Sequence, residues 1–155
     1  MMTGLPGDTP EGAWYTAREL AALSPAEVRI YPTVVLDGTR MGKWYRQGIY
    51  QPPGVRESVP LCAGLLEFFE GQGIRVIRLG LHASRSLEKR LLGGAYHPAF
   101  RELCEGELLV QRLLWNLAGR VPGPVTVRLS PRDRSKFTGP HRQNLTRLAE
   151  LGWQV

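Results

Sequence analysis

The sequence is poor in cysteine and has no long hydrophobic run, and each absence excludes a class of protein. Only two cysteines, Cys62 and Cys104, occur among the 155 residues, and they lie far apart. Without a Cys-x-x-Cys spacing they indicate neither a zinc site nor a disulfide framework, and we expect two buried or half-buried thiols. No apolar stretch reaches the ~18 residues of a membrane span, and the start lacks the pattern of a signal peptide. The sequence therefore predicts a cytoplasmic protein without membrane association.

Acidic residues are scarce in the last quarter of the chain, where basic residues are concentrated. The net charge is +6, and residues 124–147 contain six arginines and lysines against Asp133 alone, so this segment contributes six minus one, or +5. Such a pattern indicates either a phosphate-bearing partner or a merely solvated basic surface. Basic residues that precede and begin a predicted helix are the candidate nucleic-acid contacts, because a helix start favours phosphate: Arg132, Arg134, Lys136, His141 and Arg142.

Strand-forming runs alternate with helical periodicity along the chain. Helices are predicted at 10–23, 41–45, 56–72, from 98 onward and from 140 onward, and strands at 1–5, 28–36, 74–81, 125–129 and 153–155. The segment 82–97 shows no regular pattern. Alternation of this kind predicts an α/β fold with a mainly parallel sheet. Gly119–Pro124 is the best linker candidate, so we predict a first domain at 1–119 and a small basic strand–turn–helix unit at 124–155.

Several stretches together carry a family resemblance. They are Met1–Thr9 with its Gly-Leu-Pro-Gly-Asp turn, the run Arg29–Thr39, Trp44–Tyr50, and the later stretches 73–81, 94–100 and 130–133. In these residues the chain resembles the radical S-adenosylmethionine (radical SAM) superfamily. Within that superfamily it is most similar to proteins related to the catalytic subunit of the elongator complex. The resemblance covers almost the whole chain.

The resemblance implies a partial, open parallel β/α barrel. The chain matches the last two of six barrel strands and a C-terminal extension, followed by a small α/β appendage. For the complete enzyme the resemblance implies S-adenosylmethionine and a four-iron, four-sulfur cluster. That cluster needs a loop with three closely spaced cysteines, which two scattered cysteines do not replace. We therefore expect this chain to be catalytically incomplete by itself, and the sequence identifies no catalytic residue and no metal site.

The same resemblance implies which residues border the cofactor. Gly4, Leu5 and Gly7 match the motif at the end of the fifth barrel strand, where glycines let the backbone approach a ligand closely. Ile30, Tyr31 and Pro32 match the end of the sixth strand and imply main-chain or apolar contacts to the adenine. An ordinary strand-to-helix turn and plain packing at the barrel rim are the alternative interpretations. Thr33, Gly38 and Thr39 are interpreted in the same way, as loop-shaping or turn residues.

Three further residues have a chemistry of their own. Arg78, on the strongest predicted strand, is either a buried cation that pairs with a carboxylate or a substrate anion, or a residue on the surface. His82 and His97 flank the irregular segment and suit either proton transfer or a structural role. Neither histidine has a neighbour at metal-ligand spacing.

These observations favour one functional hypothesis and leave two others open. The first is the C-terminal portion of a radical SAM enzyme directed at RNA such as tRNA, completed by an N-terminal half or by a partner chain. The second is a small nucleic-acid-binding α/β protein that acts through its basic C-terminal tail. The third is self-association through an open strand edge. No segment matches an acetyltransferase domain, so transfer of an acetyl-derived group is not predicted.

Overall fold

Helices and strands alternate through the first two thirds of the chain, as the sequence pattern predicts. The computed structural model describes all 155 residues. The strands are β1 (Met2–Thr3), β2 (Glu27–Pro32), β3 (Val34–Leu36), β4 (Arg75–Leu79) and β5 (Leu91–Gly94). The helices are α1 (Pro10–Ala22), α2 (Arg40–Arg46), α3 (Val55–Gly71), α4 (Arg85–Arg90), α5 (Phe100–Asn116), α6 (Arg134–Thr138) and α7 (Gln143–Glu150), with a 3₁₀ turn at Pro140–Arg142. No helix has the length and apolar character needed to cross a membrane.

The chain divides into two units, residues 1–101 and residues 102–155. The division falls near the start of α5, so this helix begins in the first unit and continues through the second. The linker predicted at Gly119–Pro124 therefore lies inside the second unit. The reason is that residues on α5 contribute to the core of the second unit, a role that a turn signal in the sequence does not reveal.

Three strands of the first unit form a parallel sheet in the order β1-β2-β4. Met2 pairs with Tyr31 and Thr3 with Pro32, while Ile30 pairs with Leu79 on the other side of β2. The predicted α/β fold class with a parallel sheet is thus confirmed. Strand β1 lies at one edge of this sheet and β2 at its centre.

The two faces of the sheet differ in composition. Helix α3 contacts β2 and β4, and α1 contacts α3 and β1. We call the face toward these helices the covered face; its side chains are Val28, Ile30, Pro32, Val76 and Leu79, all buried. Because side chains alternate along a strand, the other residues point the opposite way. This open face carries Met2, Glu27, Arg29, Tyr31, Arg75 and Arg78, together with Ile77 at the irregularity of the β2–β4 pairing; only Tyr31 is half-buried and the rest are exposed.

A second, two-stranded sheet occupies part of the segment that the sequence predicts to be irregular. Strand β5 pairs antiparallel with β3, where Val34 lies opposite Gly94 and Leu36 opposite Leu91. Helix α4 precedes it, and the Ser84 side chain caps this helix by accepting from the Leu87 N–H at 3.2 Å. The prediction for 82–97 was wrong because a strand of two leucines and two glycines has no alternating pattern. Its backbone pairing with β3 defines it instead.

The second unit is held by a small apolar cluster. Its buried members are Val110, Leu117, Phe137, Leu148 and Trp153. Val125, Val127 and Leu129 pack against this cluster, as their alternation indicates, yet they do not form the predicted strand. A single parallel bridge joins Pro124 to Gln154. The alternation in 125–129 correctly predicts which side chains pack against the cluster. It wrongly predicts a strand, because the single bridge between Pro124 and Gln154 provides too little backbone pairing.

Candidate functional site

The turn between β1 and α1 is fixed by a carboxylate that accepts backbone hydrogen bonds. Gly4 has a φ of 72°, which glycine adopts without strain. The Gly4 N–H donates to Asp8 Oδ2 at 2.8 Å, and the Thr9 N–H donates to Asp8 Oδ1 at 2.9 Å. Thr9 then caps α1 by accepting from the Gly12 N–H at 3.1 Å. The predicted helix start at Thr9 is confirmed, and Asp8 holds the turn at the carboxyl end of β1.

Strand pairing brings the two predicted groups of cofactor residues together. The Thr33 N–H and hydroxyl donate to the Thr3 carbonyl at 2.9 and 2.8 Å, which ties the end of β2 to the end of β1. Both threonines are buried, at 3% and 2% exposure. Gly4, Leu5 and Gly7 therefore follow β1 beside the point where Tyr31 and Pro32 end β2.

The six predicted cofactor residues differ in what they offer a ligand. The Ile30 and Pro32 side chains are buried in the covered face, so only their backbone faces the strand ends. Tyr31 is half-buried on the open face, next to Met2. Leu5 is 39% exposed and Gly7 is exposed with a φ of 79°. Tyr31 is thus the β2 residue of this group whose side chain is accessible, and Leu5 is its counterpart in the turn.

Tyr50 contributes to the same region and had no assigned role in the sequence. Its hydroxyl donates to the Gly4 carbonyl. Burial raises the pKa of Tyr50, the nearby Asp8 carboxylate raises it further, and a hydrogen bond with Thr33 acts in the opposite direction. The spacing of Gly48 and Tyr50 within the resemblance was the available signal, but it did not reveal a contact with residue 4.

A cleft of about 500 Å³ lies beside this turn. Its lining includes Thr3, Gly4 and Asp8 from the turn, together with Pro53 and Glu57. Both carboxylates of the cleft already accept backbone hydrogen bonds. Asp8 accepts from the Gly4 N–H, and Glu57 accepts from the Gly54 N–H at 2.7 Å. An alanine Cβ at position 4 would lie 3.0 Å from the Pro53 Cδ atom, which explains the glycine.

The residues present do not fit an iron–sulfur cluster. Cys62 and Cys104 are both buried at 0% exposure and both are free thiols. Burial raises the pKa of Cys62 to about 11, and a hydrogen bond with Thr3 opposes this only in part. A cluster ligand must be a thiolate. No group of three or more His, Cys, Asp or Glu side chains is arranged to hold a metal ion.

On the open face, two arginines lie opposite one another. Arg29 and Arg78 are register partners in the parallel pairing of β2 with β4, and both are exposed. An Arg78 Nη1 atom lies 3.1 Å from His82 Nδ1. The other histidine of this segment, His97, accepts from the Ala99 N–H at 3.1 Å and supports the start of α5. The structure thus separates two histidines that the sequence treats alike.

Of the predicted nucleic-acid contacts, all but one are exposed. Arg132, Arg134, His141 and Arg142 are exposed. Lys136 is half-buried, and its ammonium lies 2.7 Å from Glu105 and 3.6 Å from Asp133. The hydrogen bond with Glu105 raises the pKa of Lys136. The positive charge of Lys136 is therefore compensated by carboxylates of its own unit.

Comparison with known proteins agrees with the resemblance. The Radical_SAM C-terminal domain matches residues 25–109. Over 54 residues the chain is 37% identical to a tRNA uridine(34) acetyltransferase of Dehalococcoides mccartyi (strain CBDB1), a match that covers 33% of this chain and 12% of that relative. The chain therefore matches only a small part of the relative's length. The domain match covers more than half of the chain, so the chain belongs to the Radical_SAM C-terminal domain family and its predicted place in the radical SAM superfamily is confirmed.

Proposed function

We propose that this chain is the C-terminal part of a radical SAM enzyme of the elongator-like type, directed at RNA. In this proposal other residues, on an N-terminal half or a partner chain, supply the remaining barrel strands and the cluster. The family match over residues 25–109 carries the proposal. Two features of the sheet support it: β1 is an edge strand, and one face of the sheet carries exposed side chains. A strand edge with unpaired backbone groups is a site for adding further strands.

The predicted cofactor residues have distinct roles in this proposal. When S-adenosylmethionine is bound beside a reduced iron–sulfur cluster, it supplies radical chemistry. Gly4 and Gly7 provide backbone positions without a side chain, and Tyr31 provides a half-buried aromatic surface for a purine ring. Ile30 and Pro32 hold the strand end in place through their burial. The cluster ligands are assigned to other residues, because Cys62 and Cys104 do not fit that role.

The RNA part of the proposal depends on the second unit. The relative from Dehalococcoides mccartyi is named for a tRNA uridine. Arg132, Arg134 and Arg142 are exposed and have no carboxylate partner, so they are free to contact phosphates. Replacing any one of them with glutamine should reduce the slope of log affinity against log salt by about one. Lys136→Gln should instead lower stability, because it removes the ion pair between the Lys136 ammonium and Glu105.

The decisive experiment isolates the protein from its own cells. A tag placed on the chromosomal gene after Val155 would permit anaerobic purification, followed by mass, iron and sulfide analysis. We expect a longer polypeptide, or a second chain, together with about four irons per complex. The same preparation should cleave S-adenosylmethionine when reduced, whereas the 155-residue chain alone should not.

One outcome would count against the enzyme: a purified 17.3 kDa chain without iron and without a stoichiometric partner. If that chain still bound RNA in a salt-dependent way, the small nucleic-acid-binding protein would be the correct function. If it formed oligomers, self-association through the β1 edge would be favoured instead.

A matched pair of variants tests the cofactor residues. Tyr31→Ala should weaken S-adenosylmethionine binding by the purified complex about tenfold, the loss of one stacking contact with its burial. Tyr15→Ala is the control, because Tyr15 lies on α1 and is 60% exposed. Equal affinities for the two variants would remove Tyr31 from the site.

A further inference from the structure

The open face of the sheet contains an arrangement that stability alone does not favour. Arg29 and Arg78 are register partners on adjacent strands, which in a parallel sheet lie about 4.8 Å apart. Like charges directly opposite one another are destabilising. The next pair along the same face, Glu27 and Arg75, has opposite charges and forms a salt bridge. The sheet thus contains one pair of opposite charges, Glu27 with Arg75, and one pair of like charges, Arg29 with Arg78, which we call the mismatched pair.

No carboxylate of this chain compensates the mismatched pair. Neither Arg29 nor Arg78 forms a salt bridge, and the nearest acidic residue along the face, Glu27, is bound to Arg75. The guanidinium groups keep their charge under all ordinary conditions. Register pairing therefore places two arginines without a carboxylate partner on adjacent strands, an arrangement that suits a doubly charged anion.

His82 extends this arrangement toward the carboxyl end of β4. Arg78 can only donate, so His82 Nδ1 accepts the hydrogen bond at 3.1 Å and its proton is on Nε2. The Nε2–H then remains available as a donor to a ligand. Gly80 fixes this end of the strand: its N–H donates to the Ile30 carbonyl at 3.0 Å, and its φ is 85°. Ligands of parallel sheets bind at this end of the strands.

We propose that Arg29, Arg78 and His82 bind a phosphate group of a nucleotide. Phosphate is favoured over carboxylate because its two negative charges match two guanidinium groups, each with a planar pair of donors. Tyr31, on the same face and one residue pair farther toward the strand ends, is assigned to S-adenosylmethionine in the proposed function, so the phosphate site lies beside the cofactor site on this face. The proposal rests on the proposed function, in which this face borders the substrate.

The test uses the 155-residue chain at low salt, with inorganic pyrophosphate and uridine 5′-monophosphate as probes. Binding is followed by NMR through the ring signals of the three histidines. We expect the His82 signal to move with both probes and the His97 and His141 signals to move little. Uridine without a phosphate should cause no shift.

Three variants define the site. Arg29→Gln and Arg78→Gln should each weaken uridine monophosphate binding about tenfold or more, since each removes a charge-assisted contact. Arg75→Gln is the matched control on the same face and should change affinity by less than about twofold, because Arg75 already has a partner. Arg78→Lys keeps the charge without the fork and should give an intermediate affinity. Circular dichroism confirms that each variant is folded.

Any of three outcomes would overturn this site. One is an equal loss of binding in Arg75→Gln and Arg78→Gln, which would indicate general electrostatic attraction. The others are the absence of any His82 shift, and binding of acetate as tight as that of phosphate at matched ionic strength. A trinucleotide RNA that binds better than uridine monophosphate identifies a backbone phosphodiester as the source, and the reverse identifies a terminal phosphate. Because no cluster or S-adenosylmethionine is used, failure here leaves the iron analysis of the native protein unaffected.

Discussion

The covered and open faces of one three-stranded sheet have opposite chemistry, although the same strands supply both. Along β2, Val28 and Ile30 are buried beneath the helices while Arg29 is exposed. The covered face is explained by hydrophobic burial within the chain. The open face is not, because it carries exposed charged residues, places Arg29 opposite Arg78 and leaves Tyr31 half-buried. In the proposals above, the covered face serves stability and the open face serves contact with a ligand or with further strands.

The largest difference in unfolding free energy should appear when one side chain on each face of the sheet is truncated. Ile30 is fully buried, so Ile30→Ala should lower the free energy of unfolding by about 3 kcal/mol, through lost burial and a cavity. Arg29→Ala, the adjacent residue on the open face, should change it by less than about 0.5 kcal/mol. Urea denaturation followed by circular dichroism measures both. Similar losses for the two variants would mean that the open face is part of the core.

The next largest effect concerns the buried thiol of Cys62, which lies on α3, the helix that contacts β2 and β4. The folded state raises the pKa of Cys62 to about 11 from an ordinary value of 9.0. A group whose pKa is raised on folding contributes stability below its unfolded pKa and loses it as pH rises through the folded pKa. Unfolding free energy should therefore fall by about 1.4 kcal/mol per pH unit between pH 9 and 11.

Cys62→Ala provides the control for this pH dependence. The variant should be less stable at neutral pH, but its stability should be flatter over the alkaline window. The Cys62 thiol of the folded chain should also resist iodoacetamide at pH 8 and react only after denaturation. Rapid alkylation of Cys62 in the folded chain would show that it is not the buried residue described here.

A smaller effect is expected at the turn that follows β1. Tyr50→Phe removes the hydrogen bond to the Gly4 carbonyl and should cost about 1 kcal/mol of unfolding free energy. Tyr15→Phe, at an exposed position on α1, should be neutral and serves as the control. If the two variants were equally stable, the Tyr50 hydroxyl would not hold the turn.

The smallest predicted effect is a change in the free energy of unfolding whose sign is more informative than its size. At low salt without phosphate, Arg78→Gln should raise the free energy of unfolding by about 0.5 kcal/mol, because it relieves repulsion with Arg29. Arg75→Gln should lower it slightly, because it breaks the salt bridge to Glu27. Both differences should shrink at about 1 M salt. Destabilisation by Arg78→Gln would indicate that the hydrogen bond of Arg78 with His82 outweighs its repulsion with Arg29.

The sequence predicts most of the first unit because its signals are local. Thr9-Pro10 marks the start of α1, and Gly73 follows the end of α3. Strand β5 escaped prediction because its backbone pairs with β3 and its side chains show no period. The alternation of Val125, Val127 and Leu129 is a real burial pattern, but a strand also needs a partner, and only Gln154 provides a bridge.

The candidate site is predictable in part for the same reason. Gly4 and Tyr31 are found through local resemblance, and pairing of β1 with β2 brings their neighbours together. The pairing of Arg29 with Arg78 depends on strand order and register, including the irregularity after Val28, which no local pattern encodes. Likewise, the ion pair of Lys136 with Glu105 joins residues far apart in sequence.

The account rests on the claim that the open face is covered in the working protein, and arginine footprinting tests this directly. The native protein, isolated through its chromosomal tag, and the 155-residue chain are treated with an arginine-specific dicarbonyl reagent and analysed by mass spectrometry. We predict that Arg29 and Arg78 react much more slowly in the native protein, while Arg18, exposed on α1, reacts equally in both. Equal reactivity of Arg29 and Arg78 in the two preparations would contradict the claim.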